Sequence, residues 1–320
     1  MAKKQMTKCT RCKRRDAVYL RAYSGEKLCG KCFTKSIEDK TRKTIAKHDM
    51  LKPNDKIAVA VSGGKDSVTL LHILTKLEKD FPDAKLCAVT VDEGIKGYRD
   101  EAITLAEDNC RKLGVQHCVT SFRTLFDIEL DDLVTLLAKK AKGKTAGLSP
   151  CSYCGVLRRR ALNVAARKAE ADKLALAHNL DDETQTILLN IIHGDPLRLA
   201  RVKPVLSGKH EKFTSRVKPF CEIPEKEIAF YAYLKEIPFQ SVPCPYATTA
   251  LRNDVRNMLN CMEERHAGTK FTILRSVEKV QPALEAAAGV TVLRECRICG
   301  EPTAKEVCKP CQMLRELGVS

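Results

Sequence analysis

Ser62-Gly63-Gly64-Lys65-Asp66-Ser67 lies between the apolar run Ile57-Ala58-Val59-Ala60-Val61 and the longer run Val68-Thr69-Leu70-Leu71-His72-Ile73-Leu74. A short apolar run, two glycines and a longer apolar run predict strand, tight turn and helix. The glycines let the backbone turn sharply and come close to a ligand. N–H groups of the turn and of the helix start then form a nest for an anion, and Lys65 adds a mobile positive charge. The pattern predicts a phosphate site. It is not the Walker A loop, which needs four residues between its glycines and then Gly-Lys-Ser/Thr.

Outward from this unit the alternation continues. Strands are predicted near 57–61, 86–91, 116–121, 173–177 and 217–220, and helices near 66–79, 98–113, 124–138, 155–171 and 180–193. That order predicts an α/β fold, a parallel sheet with helices on both faces. Ligand belongs at the carboxyl ends of its strands, where the loops after Val61, Val91 and Ala177 meet. Pro224-Glu225-Lys226-Glu227-Ile228 reads as a helix start, with proline and acids in the first turn. The chain divides into a cysteine module over 1–35, a basic linker helix over 36–54, the α/β domain over 55–248, a helical segment over 249–290 and a second cysteine module over 291–320.

A chain of 320 residues with 44% hydrophobic content builds one core of ordinary size plus small appendages. No apolar run reaches the roughly 18 residues of a membrane-spanning helix. The start, Met-Ala-Lys-Lys-Gln-Met, has no secretory character, so a cytoplasmic protein without a membrane role is expected. The formal charge of +16 calls for an anionic partner larger than a nucleotide. Residues 1–52 hold 16 Lys/Arg against 5 Asp/Glu. A solvated basic surface would also have this composition, but its concentration around a cysteine module favours nucleic acid. Lys139-Lys140-Ala141-Lys142-Gly143-Lys144 is a basic insert that reads equally as a solvated loop or an RNA contact.

Ten of the 16 cysteines fall into Cys-x2-Cys pairs, and without a secretory signal they argue for metal ligation over disulfides. Cys9-x2-Cys12 and Cys29-x2-Cys32 are 16 residues apart, and Cys296-x2-Cys299 and Cys308-x2-Cys311 are 8 apart. Each set offers four soft ligands, as a closed structural zinc site requires. Cys151-Ser152-Tyr153-Cys154 is different, because no second pair completes it. Cys244, held between Pro243 and Pro245, is the best third member. Three thiolates suit an iron–sulfur cluster with one open iron, a zinc ion with a fourth ligand, or a redox pair with a bystander. Cys221, in Pro219-Phe220-Cys221-Glu222, competes with Cys244.

The glycine loop resembles the PP-loop of the ATP pyrophosphatases. Together with the unpaired central cysteines, Pro243-Cys244-Pro245 and the two terminal modules, it makes the chain similar to the TtuA/NcsA group of tRNA 2-thiouridine synthetases, which is related to TtcA. Ala177-His178-Asn179-Leu180-Asp181-Asp182-Glu183-Thr184-Gln185-Thr186 resembles that group's G-H-N-x-D-D-x-x-Q-T, with Ala177 in place of the glycine. The resemblance covers nearly the whole chain. It implies the adenine nucleotide alpha hydrolase-like version of the α/β fold, flanked by N- and C-terminal zinc modules.

It also implies a reaction. ATP is cleaved to AMP and pyrophosphate as a uridine O2 is adenylated. Sulfide held on a [4Fe-4S] cluster then displaces AMP to give 2-thiouridine. The cluster ligands would be Cys151, Cys154 and Cys244. The nucleotide would lie against Ala60, Val61, Ser62, Gly63, Gly64, Lys65, Asp66 and Ser67, with Val91 and Ala177 beside the adenosine. Asp66 and Asp182 would meet Mg²⁺ or orient phosphates. Arg158, one helical turn after Cys154, would stabilise phosphate charge between ATP and cluster. Two Zn²⁺ ions, tRNA, a sulfur donor (inorganic sulfide or a ubiquitin-like thiocarboxylate protein) and a homodimer complete the expectation. Two alternatives remain within enzymology: a cysteine persulfide route without a cluster, and a PP-loop amidating ligase using ammonia. A third, from another class, is a non-catalytic zinc-dependent tRNA-binding protein.

Overall fold

The computed structural model of the chain describes residues 7–141, 149–208, 210–247, 251–289 and 292–319. Residues 142–144 of the basic insert lie outside that range. At the N-terminus β1 (Tyr19–Arg21) pairs antiparallel with β2 (Glu26–Leu28), and α1 (Gly30–Lys47) follows. The α/β core then runs β3 (Lys56–Ala60), α2 (Lys65–Glu78), β4 (Lys85–Asp92), α3 (Arg99–Leu113), β5 (Gln116–Ser121), α4 (Phe122–Phe126), α5 (Leu130–Ala141), α6 (Pro150–Lys168), β6 (Lys173–Ala175) and α7 (Leu180–Ile192). It is completed by α8 (Pro196–Leu199), β7 (Val205–Leu206), β8 (Ser215–Val217) and α9 (Glu225–Leu234). Two helices, α10 (Leu251–Arg265) and α11 (Thr269–Ala288), lead to the second cysteine module, with β9 (Arg294–Glu295), β10 (Pro302–Thr303) and α12 (Lys309–Leu317).

The six-stranded sheet has the order β5-β4-β3-β6-β8-β7 and is parallel except for β7 at one edge. The alternation along β3 builds the layers. Ile57, Val59 and Val61 pack with Val68, Leu71 and Leu74 of α2 on one face. Ala58 packs with Ala165 and Ala166 of α6 on the other. Alanine on both partners lets α6 lie close to the sheet, which brings its N-terminal cysteines to the carboxyl ends of the strands.

The predicted elements shift at their ends. The helix expected over 124–138 is two helices, because the chain turns left-handed at Asp127 (φ 53°). The segment over 249–290 breaks at Gly268, whose φ is 99°. The last predicted strand sits at Ser215–Val217, with Pro219 ending it, and β7 carries no sequence signal at two residues. The basic helix begins at Gly30 and contains Cys32, so it grows out of the first cysteine module instead of following it. No helix among the described residues is long and apolar enough to cross a membrane.

That first module is fixed to the core by buried charge. Arg21 pairs with Glu227 of α9 at 2.7 Å, and both side chains are essentially fully buried. Arg21 also donates to Glu26 and Ser36 at 2.8 Å, and Tyr23 donates to Glu227 at 2.9 Å.

Candidate active site

The loop after β3 has the predicted shape. Gly63 takes φ 86°, and a Cβ there would lie 2.2 Å from the backbone oxygen of Ala102 in α3. Conformation and space both require glycine at this position. Gly64 is the N-cap of α2. The Ser67 hydroxyl accepts from Ser62 N–H at 3.0 Å and donates to Gly64 C=O at 2.9 Å, closing the turn from inside. Gln240 braces it from outside, donating its backbone N–H to Gly63 C=O at 2.9 Å. Arg99 braces it from below, donating to Ser62 C=O at 2.9 Å and to Val91 C=O at 2.7 Å. Ala60 and Val91 lie at the carboxyl ends of β3 and β4, and Ala177 two residues beyond β6, on neighbouring strands of the sheet.

Carboxylates surround the lysine of the loop. Lys65 Nζ lies 2.5 Å from Glu225 and 3.1 Å from Asp66. Burial pulls the lysine pKa down, but Asp66 and Glu225 outweigh it and raise it overall. Burial pushes Asp66 up to about 6 against the pull of Lys65, with Glu225 and Asp182 adding to the rise. Its Oδ1 is buried and has no hydrogen-bond partner. An orphaned carboxylate oxygen beside an N–H nest fits a site for a triphosphate and its cation. Asp182 closes a capping box with Asn179 at the start of α7, and burial raises its pKa too. Asp181 has a structural position: it accepts from Glu225 N–H at 2.8 Å and pairs with the buried Lys270. His178 is pulled below the ordinary imidazole range by the surrounding protein and by Lys218, although its side chain is exposed.

Cys151 and Cys154 stand on the first turns of α6, whose Pro150 is at N1. Cys154 is buried and packs in the same apolar group as Cys244. Cys151 is exposed and donates to the C=O of Tyr246, two residues beyond Cys244, at 3.2 Å. The Tyr246 hydroxyl donates to Asp131 at 2.7 Å, which ties this loop to α5. Burial pushes Cys154 up to about 11, opposed by Arg158. Among the described residues these three sulfurs are not gathered as closely as the terminal sets. Three thiols on two segments fit an iron–sulfur cluster with one open iron. Cys221 packs elsewhere, with Val217, Phe220 and Ile223, and burial holds its thiol protonated.

Arg158 links the two halves of the site. Its Nη2 is 3.2 Å from Cys154 Sγ and its Nε is 2.6 Å from Glu93. Glu93, buried just after β4, also pairs with Arg99 at 2.7 Å. A continuous chain thus runs Ser62, Arg99, Glu93, Arg158, Cys154. Glu93, Arg99, Glu225 and Gln240 were not singled out from the sequence. The one signal available was position: Glu93 directly follows a strand at the sheet's carboxyl edge, where ligand sites form.

Both terminal cysteine sets close. In each, all four sulfurs lie within 4.8 Å of one another. Cys12 and Cys29 are 3.9 Å apart, and Cys299 and Cys308 are 3.5 Å apart. After each first knuckle the chain turns left-handed, at Lys13 (φ 56°) and Gly300 (φ 69°). Backbone N–H groups of the knuckles outweigh burial and lower Cys9 and Cys296 to about 6. Such donors stabilise thiolates, which are the ligating form.

A family model described as a PP-loop domain matches residues 33–263, and one described as the N-terminal LIM domain of 2-thiouridine synthetase TtuA matches residues 8–34. A probable sulfurtransferase of Methanocaldococcus jannaschii is 38% identical over 94% of this chain and 86% of its own length. The tRNA 2-thiolation protein NcsA of Haloferax volcanii is 35% identical over 97% of this chain and 98% of its own. The solved U34-tRNA thiolase NcsA of Methanococcus maripaludis, described with its [4Fe-4S] cluster, superimposes with a TM-score of 0.84 at 36% identity. That match covers 98% of this chain and 97% of the other. By its PP-loop match and by relatives alike along nearly its whole length, the chain belongs to the PP-loop family of tRNA 2-thiolation proteins.

Proposed function

We propose that the chain is an ATP-dependent tRNA uridine 2-sulfurtransferase. The observation that carries this reading is the chain from Ser62 through Arg99, Glu93 and Arg158 to Cys154, which couples a phosphate loop to a three-thiol site. A phosphate loop alone serves many reactions. A thiol site set one arginine away from it serves the replacement of oxygen by sulfur.

The uridine O2 is a poor leaving group. Its attack on the α-phosphate of ATP expels pyrophosphate and converts it to an adenylate. Sulfide then bonds to C2, and AMP leaves with the former O2. The N–H nest of Gly63 to Ser67 and Lys65 hold the phosphates, and Asp66 with Asp182 takes Mg²⁺. Glu225 keeps Lys65 in place until phosphate competes for it. Arg158, charged at every accessible pH, faces the charge that develops between the two halves. Glu93 fixes its orientation. When bound to Cys151, Cys154 and Cys244, a [4Fe-4S] cluster supplies an open iron that holds sulfide. The terminal sets each take one Zn²⁺. Sulfide itself or a ubiquitin-like thiocarboxylate supplies the sulfur, and the protein works in the cytoplasm with its tRNA, as a homodimer.

The test uses protein purified without oxygen. ATP and tRNA should give AMP and pyrophosphate, and nucleoside analysis should show 2-thiouridine. Cys151→Ala, Cys154→Ala and Cys244→Ala should each lose the iron chromophore and the product yet still bind ATP, while Cys221→Ala keeps both. Release of ADP and phosphate would remove the adenylation step. Iron-free protein thiolating tRNA at the wild-type rate would replace the cluster with a cysteine persulfide.

A further inference from the structure

A cleft of about 940 Å³ lies away from the phosphate loop. It lies between α6, α7 and the C-terminal cysteine module, and its rim includes Ser152, which stands between Cys151 and Cys154. Basic side chains from separate parts of the chain converge on it: Arg159 of α6, Arg201 after α8, Arg216 of β8, and Lys305 and Lys309 of the C-terminal module. Among the described residues no carboxylate lies within 4.0 Å of any of these five. Among the described residues Glu301 is the one acid lining the cleft, and Arg160 and Arg167 engage it. Crowding of like charge is unfavourable in the free protein. Burial and Arg159 lower Arg216 to about 10, and its Nε is buried without a partner. Its guanidinium sits 5.3 Å from the Phe213 ring, leaving a flat cationic face.

The basic N-terminus neutralises part of its charge internally. Lys8, Arg11, Arg21, Lys40, Arg42 and Lys47 all pair with carboxylates. Lys31, Lys35 and Lys43 of α1 are exposed and have no such partner among the described residues, so α1 is the cationic surface against which the cleft is compared.

We propose that the cleft between α6 and the C-terminal cysteine module holds the RNA backbone and leads the target uridine toward the Cys151–Cys154 end of α6. This rests on the thiolation reading above. Five unneutralised cations on four segments suit a ligand with several phosphates in a row, which a single nucleotide lacks. The module's part would then be to wall a groove, with its closed cysteine set holding Lys305 and Lys309 in register with Arg159 and Arg201.

The experiment compares two triple variants of the full chain for tRNA binding across a salt series. One is Arg201→Ala/Lys305→Ala/Lys309→Ala, all exposed residues of the cleft. The other is Lys31→Ala/Lys35→Ala/Lys43→Ala, exposed on α1. The cleft triple should lower the slope of log affinity against log salt by roughly 2, at about 0.7 per lost contact to single-stranded RNA. It should retain ATP binding and iron content. The α1 triple should leave the slope near the wild-type value. A cleft triple with an unchanged slope, or an α1 triple with the larger loss, overturns the proposal and leaves thiolation intact. Wild-type protein that binds no tRNA overturns the thiolation reading and this proposal together.

Discussion

Asp66 is held ionised against the preference of its surroundings. Its pKa is raised from 3.8 to about 6, mainly by burial. A carboxyl that titrates higher folded than unfolded favours the fold fully below the unfolded value. That contribution is lost as pH rises through about 6. At pH 8 the ionised group therefore costs stability, by up to about 3 kcal/mol at 1.36 kcal/mol per pKa unit. Asp66→Asn should raise the denaturant midpoint at pH 8, with the gain shrinking toward pH 5, and should abolish AMP formation. An equal gain at both pH values would contradict this assignment. The same titration predicts that wild-type turnover falls as pH drops below about 6, because protonated Asp66 cannot meet a cation.

Among the elements, the loop between β3 and α2 carries the tightest constraint. Gly63→Ala would meet the Ala102 carbonyl and would also adopt φ 86°, a region that costs an L-residue about 1–3 kcal/mol before any clash. It should lower stability by at least about 2 kcal/mol in chemical denaturation and eliminate ATP binding. Gly64→Ala has only Ser62 Oγ at 3.6 Å near the new methyl and a φ of −77°. It should fold normally. This loop was legible in sequence because its determinants are local: a strand, two glycines and a helix within about twenty residues. The cysteine pairs were legible for the same reason. Glu93 and Glu225 were not, since their partners Arg158 and Lys65 stand far away in the chain and only the folded sheet brings them together. The break at Asp127 was missed because a non-glycine residue adopts the left-handed turn there, which composition does not announce.

Across the whole molecule, the first cysteine module behaves as part of the core. The boundary read at residue 35 cuts α1, whose Phe33 and Ile37 are fully buried with the central sheet's apolar face. Arg21 and Glu227 fasten the same junction. Glu227→Gln leaves the buried Arg21 guanidinium with only the partly exposed Glu26 as counter-charge and should cost about 3 kcal/mol. The double variant Arg21→Met/Glu227→Met should recover much of that loss, since neither buried charge then remains. Failure of the double variant to recover would mean that Tyr23 and Lys40, the other partners of Glu227, carry the junction. The fold class and the order of the modules came from sequence periodicity and spacing. How the modules attach could not, because the attachment is made by single charged residues in unremarkable surroundings.

The distance in sequence between Arg21 and Glu227, 206 residues, also sets a schedule. At about 5–20 residues per second, a ribosome takes roughly 10–40 s to reach the second after making the first. Throughout that interval the newborn module can gather its four thiols but has no acid for its arginine from α9. Only Glu26 and Ser36, made within seconds of Arg21, are available to it. The N-terminal module thus emerges well before the residue that fastens it to the core. Its four thiols can gather before docking, and docking waits for the middle of the chain.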